Sequence, residues 1–339
     1  MKRLFLLTIF VLLLFTACSP VRDPTEKEKP DLEELSDGLF ADYDRSKFEN
    51  VTPPKPYYAE YVTFEDEDML PFFSEPPEIY TVMEHEIYPY RRFKNDGEWG
   101  YYTDNNLLSY GKELCNELAI IFYQFLGERP DIATEGLDFM TLSEVRERFA
   151  DDMHRFVPDF RIYDLFAITA EDFANAAAET DPPYPEKGWR EPKDFYYIRA
   201  RQYVDDIPVS AHHSRISETL YFKNSKISAC YSADGIEKFD ALGLYRVGEE
   251  VPVNSTFIDL AEAEQIIREE YTMPYGYDQI ILFDVDLVYK AVNDGDGRMI
   301  LTPVWEFYKD IWSIYGVSTN HYFTTPWITI NAYTGEFLW

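Results

Sequence analysis

The last 85 residues, Ser255 to Trp339, constrain the fold most. STFIDLAEAEQIIREEY places Leu260, Ala263, Ile266, Ile267 and Tyr271 at helical spacing. Asp259 is an N-cap candidate with Glu262 three residues on, the pairing of a capping box. Three strand-like runs follow: DQIILFDVDLVYKAV, RMILTPVWEFYKD and TTPWITINAYTGEFLW. In the first, Ile281, Phe283, Val285, Leu287 and Tyr289 alternate, which gives the strand one face to bury. The run Asn293-Asp294-Gly295-Asp296-Gly297 supplies turn chemistry before the second. One helix and three antiparallel strands are the expected unit, and nothing in it reads as chemistry.

The N-terminus addresses the compartment. Lys2 and Arg3 precede an apolar stretch from Leu4 to Phe15 that is too short to stay as an ordinary membrane span. Thr16-Ala17-Cys18 then resembles the lipobox of bacterial lipoproteins, with Phe15 where that pattern usually has an aliphatic residue. The resemblance implies that residues 1–17 are a signal peptide and that Cys18 carries the lipid, on the extracytoplasmic face of the cell membrane. Removing residues 1–17 takes away Lys2 and Arg3 and leaves 29 basic against 62 acidic residues, a formal charge of −33. That charge argues against a nucleic-acid partner and against lying flat on an anionic bilayer. Residues 18–56, rich in Pro, Glu, Asp, Lys and Ser, read as a disordered tether.

Residues 57–105 are aromatic and strand-like, with Tyr80 and Val82 at period two and a turn at Asp96-Gly97. Leu107 to Leu126 reads as a helix, with Leu114, Leu118, Ile121, Phe122 and Phe125 on one stripe. Thr141 with Glu144 opens a second capped helix through Leu142, Val145, Phe149, Met153 and Phe156, ended by Pro158. FRIYDLFAI is a strand, and Thr169 caps a helix through Ala178. After a proline-rich loop come FYYIRARQYVDDIPVS, KISACYSADGIEKF and LYRVGEEVPV, all strand-like. Two groups look alike: Ile207-Pro208-Val209 leads to KISACYSADGIEKF, and Thr302-Pro303-Val304 leads to WITINAYTGEFL. Each follows a helix and turns at a glycine, Gly235 or Gly335. An internal duplication is the expectation.

AEAEQIIREEY, TPVWEFY and ITINAYTGEFL resemble PepSY-type domains and the related YycI- and YycH-like extracytoplasmic regulators of two-component kinases. With the lipobox and YYIRARQYVDDIPV, they also resemble an uncharacterised clostridial lipoprotein family. The resemblance implies an α+β fold of two lobes, each of helices packed on an antiparallel sheet, after the signal peptide and tether. The lobes would be residues 57–248, with a first PepSY-like unit, and residues 249–339, a second. It implies a regulatory protein of the cell envelope that binds, without catalysis, a protein or peptide partner. The regulators carry a membrane helix where this chain has Cys18.

With 62 carboxylates, a pair such as Asp284 and Asp286 carries little weight as a hydrolase dyad. The histidines, His85, His154, His212, His213 and His321, are scattered, and Glu84-His85-Glu86 alternates across a strand. Counting twelve from Asp294 reaches Trp305 rather than the glutamate of a calcium loop, so a hairpin turn is expected. No metal, cofactor-binding or catalytic residue is nominated. Cys115 and Cys230 read as buried thiols, with a disulfide left open. Trp305, Phe307, Trp312, Tyr315, Tyr322 and Trp327 either fill a core or recognise a ligand, and either the aromatic loop of residues 309–325 or an exposed strand edge is expected to accept the partner. Capture of a carbohydrate or peptide for uptake, and a carboxylate-dependent hydrolase, stand as alternatives.

Overall fold

The computed structural model describes residues 33–84, 88–103, 106–112, 133, 135–179, 193–211, 214–215, 221–222, 225–272, 280–294, 296–309 and 326–338. The chain opens with β1 (Glu33–Ser36), β2 (Leu39–Ala41), β3 (Tyr57–Tyr61) and the short helix α1 (Asp66–Met69). Four strands follow: β4 (Glu78–Glu84), β5 (Tyr88–Lys94), β6 (Glu98–Thr103) and β7 (Leu107–Lys112). Then come α2 (Leu142–His154), β8 (Phe160–Ile168), α3 (Ala170–Glu179), β9 (Phe195–Val204) and β10 (Ile207–Pro208). The pair β11 (Ser214–Arg215) and β12 (Tyr221–Phe222) precedes β13 (Lys226–Ser232), β14 (Gly235–Leu242) and β15 (Tyr245–Glu250). Last are α4 (Leu260–Glu270), β16 (Ile280–Asn293), β17 (Met299–Lys309) and β18 (Pro326–Asn331).

Two large sheets organise these elements. The first has seven strands in the order β1-β2-β16-β17-β3-β15, with β18 also on β17. On β17's far edge, β3 pairs with residues 299–301 and β18 with residues 304–308. The second has nine strands in the order β10-β9-β13-β14-β7-β6-β5-β4, with β8 also on β9. Leaving the second sheet after β14, the chain enters the first as β15. The Leu244 carbonyl at that crossing accepts from Val62 N at 3.0 Å and from the Asn106 side-chain amide. A parallel bridge joins Val209 to Tyr289, so the β9–β10 hairpin also reaches the first sheet.

The helices are local successes of the sequence. Thr141 and Glu144 close a capping box before α2, Thr169 and Asp172 do so before α3, and Asp259 and Glu262 before α4. Val145, Phe149 and Met153, four residues apart, are the buried stripe of α2 against the second sheet. Truncating a fully buried ring such as Phe149 to alanine costs about 3–5 kcal/mol. Leu260, Ala263 and Ile267 of α4 pack on Val285, Trp305, Phe307 and Ile330 of the first sheet.

The two-lobed α+β expectation is overturned. The protein is mostly strand, with four short helices among the described residues, and its two sheets are far larger than units of a helix on three or four strands. Nor does residue 248 divide the sheets, because β1, β2 and β3 come from the chain's start and join the first sheet with β16 and β17. Residues 33–41, expected within the tether, are strands: β2 runs parallel to residues 280–282, and Leu35 and Leu39 enter the core under α4. Residues 107–112 form β7 rather than a helix. Leu108 and Tyr110 face the core at period two, and β6 pairs along the whole strand.

The duplication fails as well. The turn Asp205-Asp206, both residues at positive φ, folds β10 straight back on β9, so Pro208 ends a two-residue strand. Pro303 lies inside an 11-residue strand, opposite Tyr289. Of the expected face of β16, Val285, Leu287 and Tyr289 are buried, but Leu282 is buried in place of Ile281 and Phe283, and Val288 and Lys290 are buried on the other face as well. A bulge between Leu282 and Asp284 shifts the phase by one residue there, and a one-residue shift exchanges faces.

Candidate functional site

Sheet edges are sites where a strand can be added, and most edges here are closed. Four-residue β1 is too short to template much, and β15 carries Arg246, Glu249 and Glu250. On β8, a bulge interrupts the strand at residues 162–164, and Ala133 N donates to the Leu165 carbonyl at 2.7 Å. β18 takes residues 337–338 as a short neighbour, with Leu338 N donating to Thr329 O at 2.8 Å. Charge, shortness, bulges and cover are the ordinary protections of an edge.

β4 has none of these along its middle. Seven residues, EIYTVME, pair with β5 in unbroken register from Glu78↔Lys94 to Glu84↔Tyr88. Among the described residues no strand lies on its other side. Ile79 and Tyr80 are each 37% exposed, so the strand presents large apolar surface between its terminal glutamates.

The edge is braced from behind. Arg91 of β5 donates to both oxygens of Asp66 at the start of α1, at 3.1 and 2.9 Å, and to Thr81 Oγ1 at 3.1 Å. The Arg91 guanidinium, with a further hydrogen bond from Tyr102, holds the Asp66 carboxyl below its ordinary pKa. On the opposite face Arg92 lies over the Tyr80 ring, 5.9 Å from its centroid. A strand fixed this way can accept a partner without first ordering itself.

A second polar cluster sits where the sheets meet. Glu306 of β17 is fully buried and takes Lys290 Nζ at 2.8 Å and Ser210 Oγ at 2.9 Å on one oxygen, and Tyr308 OH at 2.8 Å on the other. Burial, reinforced by Glu306, holds the Tyr308 phenol protonated far above its usual range. Asp286, directly across the ladder from Glu306, is raised to about 6 by burial and by neighbouring Asp284. From β9, Arg201 faces this group and lies 4.9 Å from the Tyr163 ring, and Arg199 forms a buried ion pair with Asp164. Tyr308 and Lys290 belong to the same sheet as Glu306, and Ser210, which follows β10, is the donor that ties the β9–β10 hairpin to it.

The nominated residues scatter. Cys18, Cys115, His85, His212, His213, His321, Trp312, Tyr315, Tyr322 and most of the 309–325 loop lie outside the described residues. Cys230 is buried in β13. His154 packs on Phe160 at 5.3 Å. Trp305 and Phe307 are core, and Trp305 Nε1 donates to Ile258 O at 2.9 Å, so neither is a recognition ring. Asp284 is partly exposed, with Lys47 at 3.7 Å. Asp294 accepts from the backbone N–H groups of Asp296 and Arg298 at 2.9 and 3.0 Å, the pattern of a turn. Glu306, Lys290, Arg201 and Ser210 were missed. For Lys290, Glu306 and Arg201 the signal was charge in the interior of alternating strands, DVDLVYK, PVWEF and IRARQ; Ser210 gave none.

No family model matches the chain, and no curated protein matches it. Among solved structures, it is similar to an uncharacterized protein from Eubacterium rectale ATCC 33656. The TM-score is 0.56 at 14% identity, over 91% of this chain and 92% of that one. The likeness shows a shared fold and extends across nearly the whole of both chains.

Proposed function

We propose that this chain is a lipid-anchored, extracytoplasmic docking protein of the bacterial envelope, which accepts an extended segment of a partner protein by strand addition to β4. The observation that carries the reading is the unbulged, partly apolar edge from Glu78 to Glu84, against which no strand lies among the described residues. Strand addition takes its affinity from main-chain hydrogen bonds and its selectivity from alternate side chains. The anchor rests on Thr16-Ala17-Cys18 and the apolar stretch before it. A role by binding is favoured over hydrolysis because Glu306, the carboxylate nearest Asp286 across the ladder, is fully buried and engaged by three donors.

The test is fluorescence anisotropy with a labelled, β-forming Thr/Val heptapeptide against the full chain and against Ile79→Lys. Ile79 is exposed, so the lysine leaves the core alone while placing a charge on the edge. Saturable binding that is lost in the variant supports the reading. Absence of binding, or binding indifferent to the variant, contradicts it.

A further inference from the structure

On the face of β4, β5 and β6 turned away from α2, four aromatic rings surround one guanidinium. Register places Arg92 of β5 directly between Tyr80 of β4 and Tyr101 of β6. The Arg92 guanidinium lies over the Tyr80 ring, 5.9 Å from its centroid. Tyr101 is nearly parallel to Trp99, with planes 16° apart and centroids 6.1 Å apart, and Tyr90 meets Tyr101 edge-on at 5.9 Å. Arg92 and Tyr80 are exposed, and Tyr90, Trp99 and Tyr101 are half-buried. The core under α2 takes Phe93 and Tyr110 from the opposite face and none of these four rings.

We infer that this strip is a binding site for a small sugar acid, its rings taking the apolar C–H face of the pyranose and Arg92 its carboxylate. Cross-strand rings by themselves are explained by the stability they lend a sheet. The guanidinium among them is not. Among the described residues Arg92 has no carboxylate partner, and Glu78, on the same face, stands opposite Lys94 instead. Arg92 is therefore the charge on this face that its neighbours leave uncancelled.

The chemistry of the ligand follows from both parts. A planar guanidinium donates two parallel hydrogen bonds to a carboxylate. Tyrosine and tryptophan offer an apolar body with a polar tip, which suits a ring that is apolar on one face and hydroxylated at its rim. The chain's formal −31 opposes a polyanion. A single carboxylate feels little of that charge beyond the screening length of about 8 Å, so one acid group on one sugar meets both conditions. The site is separate from strand addition, because Ile79 and Thr81 face the other side with Phe93 and Arg91.

The test is a nuclear magnetic resonance titration of the full, isotope-labelled chain, read at the backbone amides of β5 and β6. The probes are methyl β-glucuronide, methyl β-glucoside (a hydroxymethyl in place of the carboxylate) and acetate, which has the charge without the ring. The glucuronide is expected to bind about tenfold more tightly than the glucoside, as one bidentate charge-assisted contact allows. Arg92→Gln should bring the two affinities together, while Trp99→Leu should weaken both and preserve their ratio. Equal affinities in the native chain, a preference that survives Arg92→Gln, binding indifferent to Trp99→Leu, or no shift with either glycoside overturns the inference. Acetate shifts equal to those of the glucuronide would mean an adventitious ion only, and overturn it too. Ile79→Lys should leave glucuronide binding intact; its loss there would move the ligand to the edge and overturn the site. Heptapeptide binding, measured on the same samples, stands or falls independently.

Discussion

The side-chain amide of Gln202 pairs with the backbone of Tyr245 as a neighbouring strand would. Its Nε2 donates to the Tyr245 carbonyl at 2.6 Å, and its Oε1 accepts from the Tyr245 N–H at 2.8 Å. Tyr245 is where the chain leaves the second sheet and opens β15 of the first, and among the described residues no second-sheet strand pairs with it. Both groups are buried, and a buried backbone group without a partner costs about 1–3 kcal/mol. Gln202→Leu should therefore lower unfolding free energy by about 2–4 kcal/mol, with an unchanged slope in denaturant titration. A loss under about 1 kcal/mol would mean that water replaces the amide.

The Glu306 cluster makes a different prediction. Lys290→Met removes one charge and leaves Glu306 buried without it, a change worth about 3–5 kcal/mol. The double variant Lys290→Met/Glu306→Gln removes the charge on both sides and should recover most of that loss. A double-mutant cycle by chemical denaturation measures the coupling. Additive effects would show that the two side chains do not depend on one another.

Asp286 gives stability a pH dependence of the less usual sign for a carboxylate. Its folded pKa is raised to about 6 by burial and Asp284, above the unfolded value of about 3.9. The folded state thus binds the proton more tightly, so this group's contribution is fully present below about pH 4 and is lost as pH rises through about 6. Asp286→Asn should flatten that part of the stability–pH curve and raise stability at pH 7.5 by about 1–3 kcal/mol. An unchanged slope between pH 4 and 7 would place the titration elsewhere.

Behind the docking edge, Asp66 fixes Arg91, and Arg91 fixes Thr81. Asp66→Asn should loosen β4 while costing less than about 1 kcal/mol in global stability, as expected for a partly exposed pair. The heptapeptide should then bind several-fold more weakly. Affinity in the native protein should hold through the ordinary carboxylate range and fall only at more acidic pH, where Asp66 at last takes up a proton, since the Arg91 guanidinium holds its pKa low. Unchanged peptide affinity in Asp66→Asn would show that bracing is irrelevant to binding.

What the sequence disclosed and what it hid divide by range. The capping boxes at Thr141/Glu144 and Asp259/Glu262 were legible because each is complete within four residues. The helical stripe from Leu114 onward absorbed Leu108 and Tyr110, since six residues of alternation weigh little beside a longer apolar run. The bulge at Leu282/Asp284 was invisible because it depends on the partner strand. Sheet order was the largest gap: β3, near the start of the chain, pairs with both β15 and β17, a neighbour relation that no local pattern encodes. Glu306 and Lys290 were unreadable as partners for the same reason, because their meeting is fixed by β16–β17 register. The β4 run was visible as a strand through Tyr80 and Val82, but an edge is defined by what fails to pair with it.

Backbone amide exchange along residues 78–84, measured in the full chain with and without the Thr/Val heptapeptide, tests strand addition most directly. It predicts that every second amide of β4, those facing away from β5, exchanges freely alone and becomes protected when the peptide is present, with the Asp286–Glu306 region unchanged. Protection that arises between the sheets, leaving β4 exchanging as before, would contradict it.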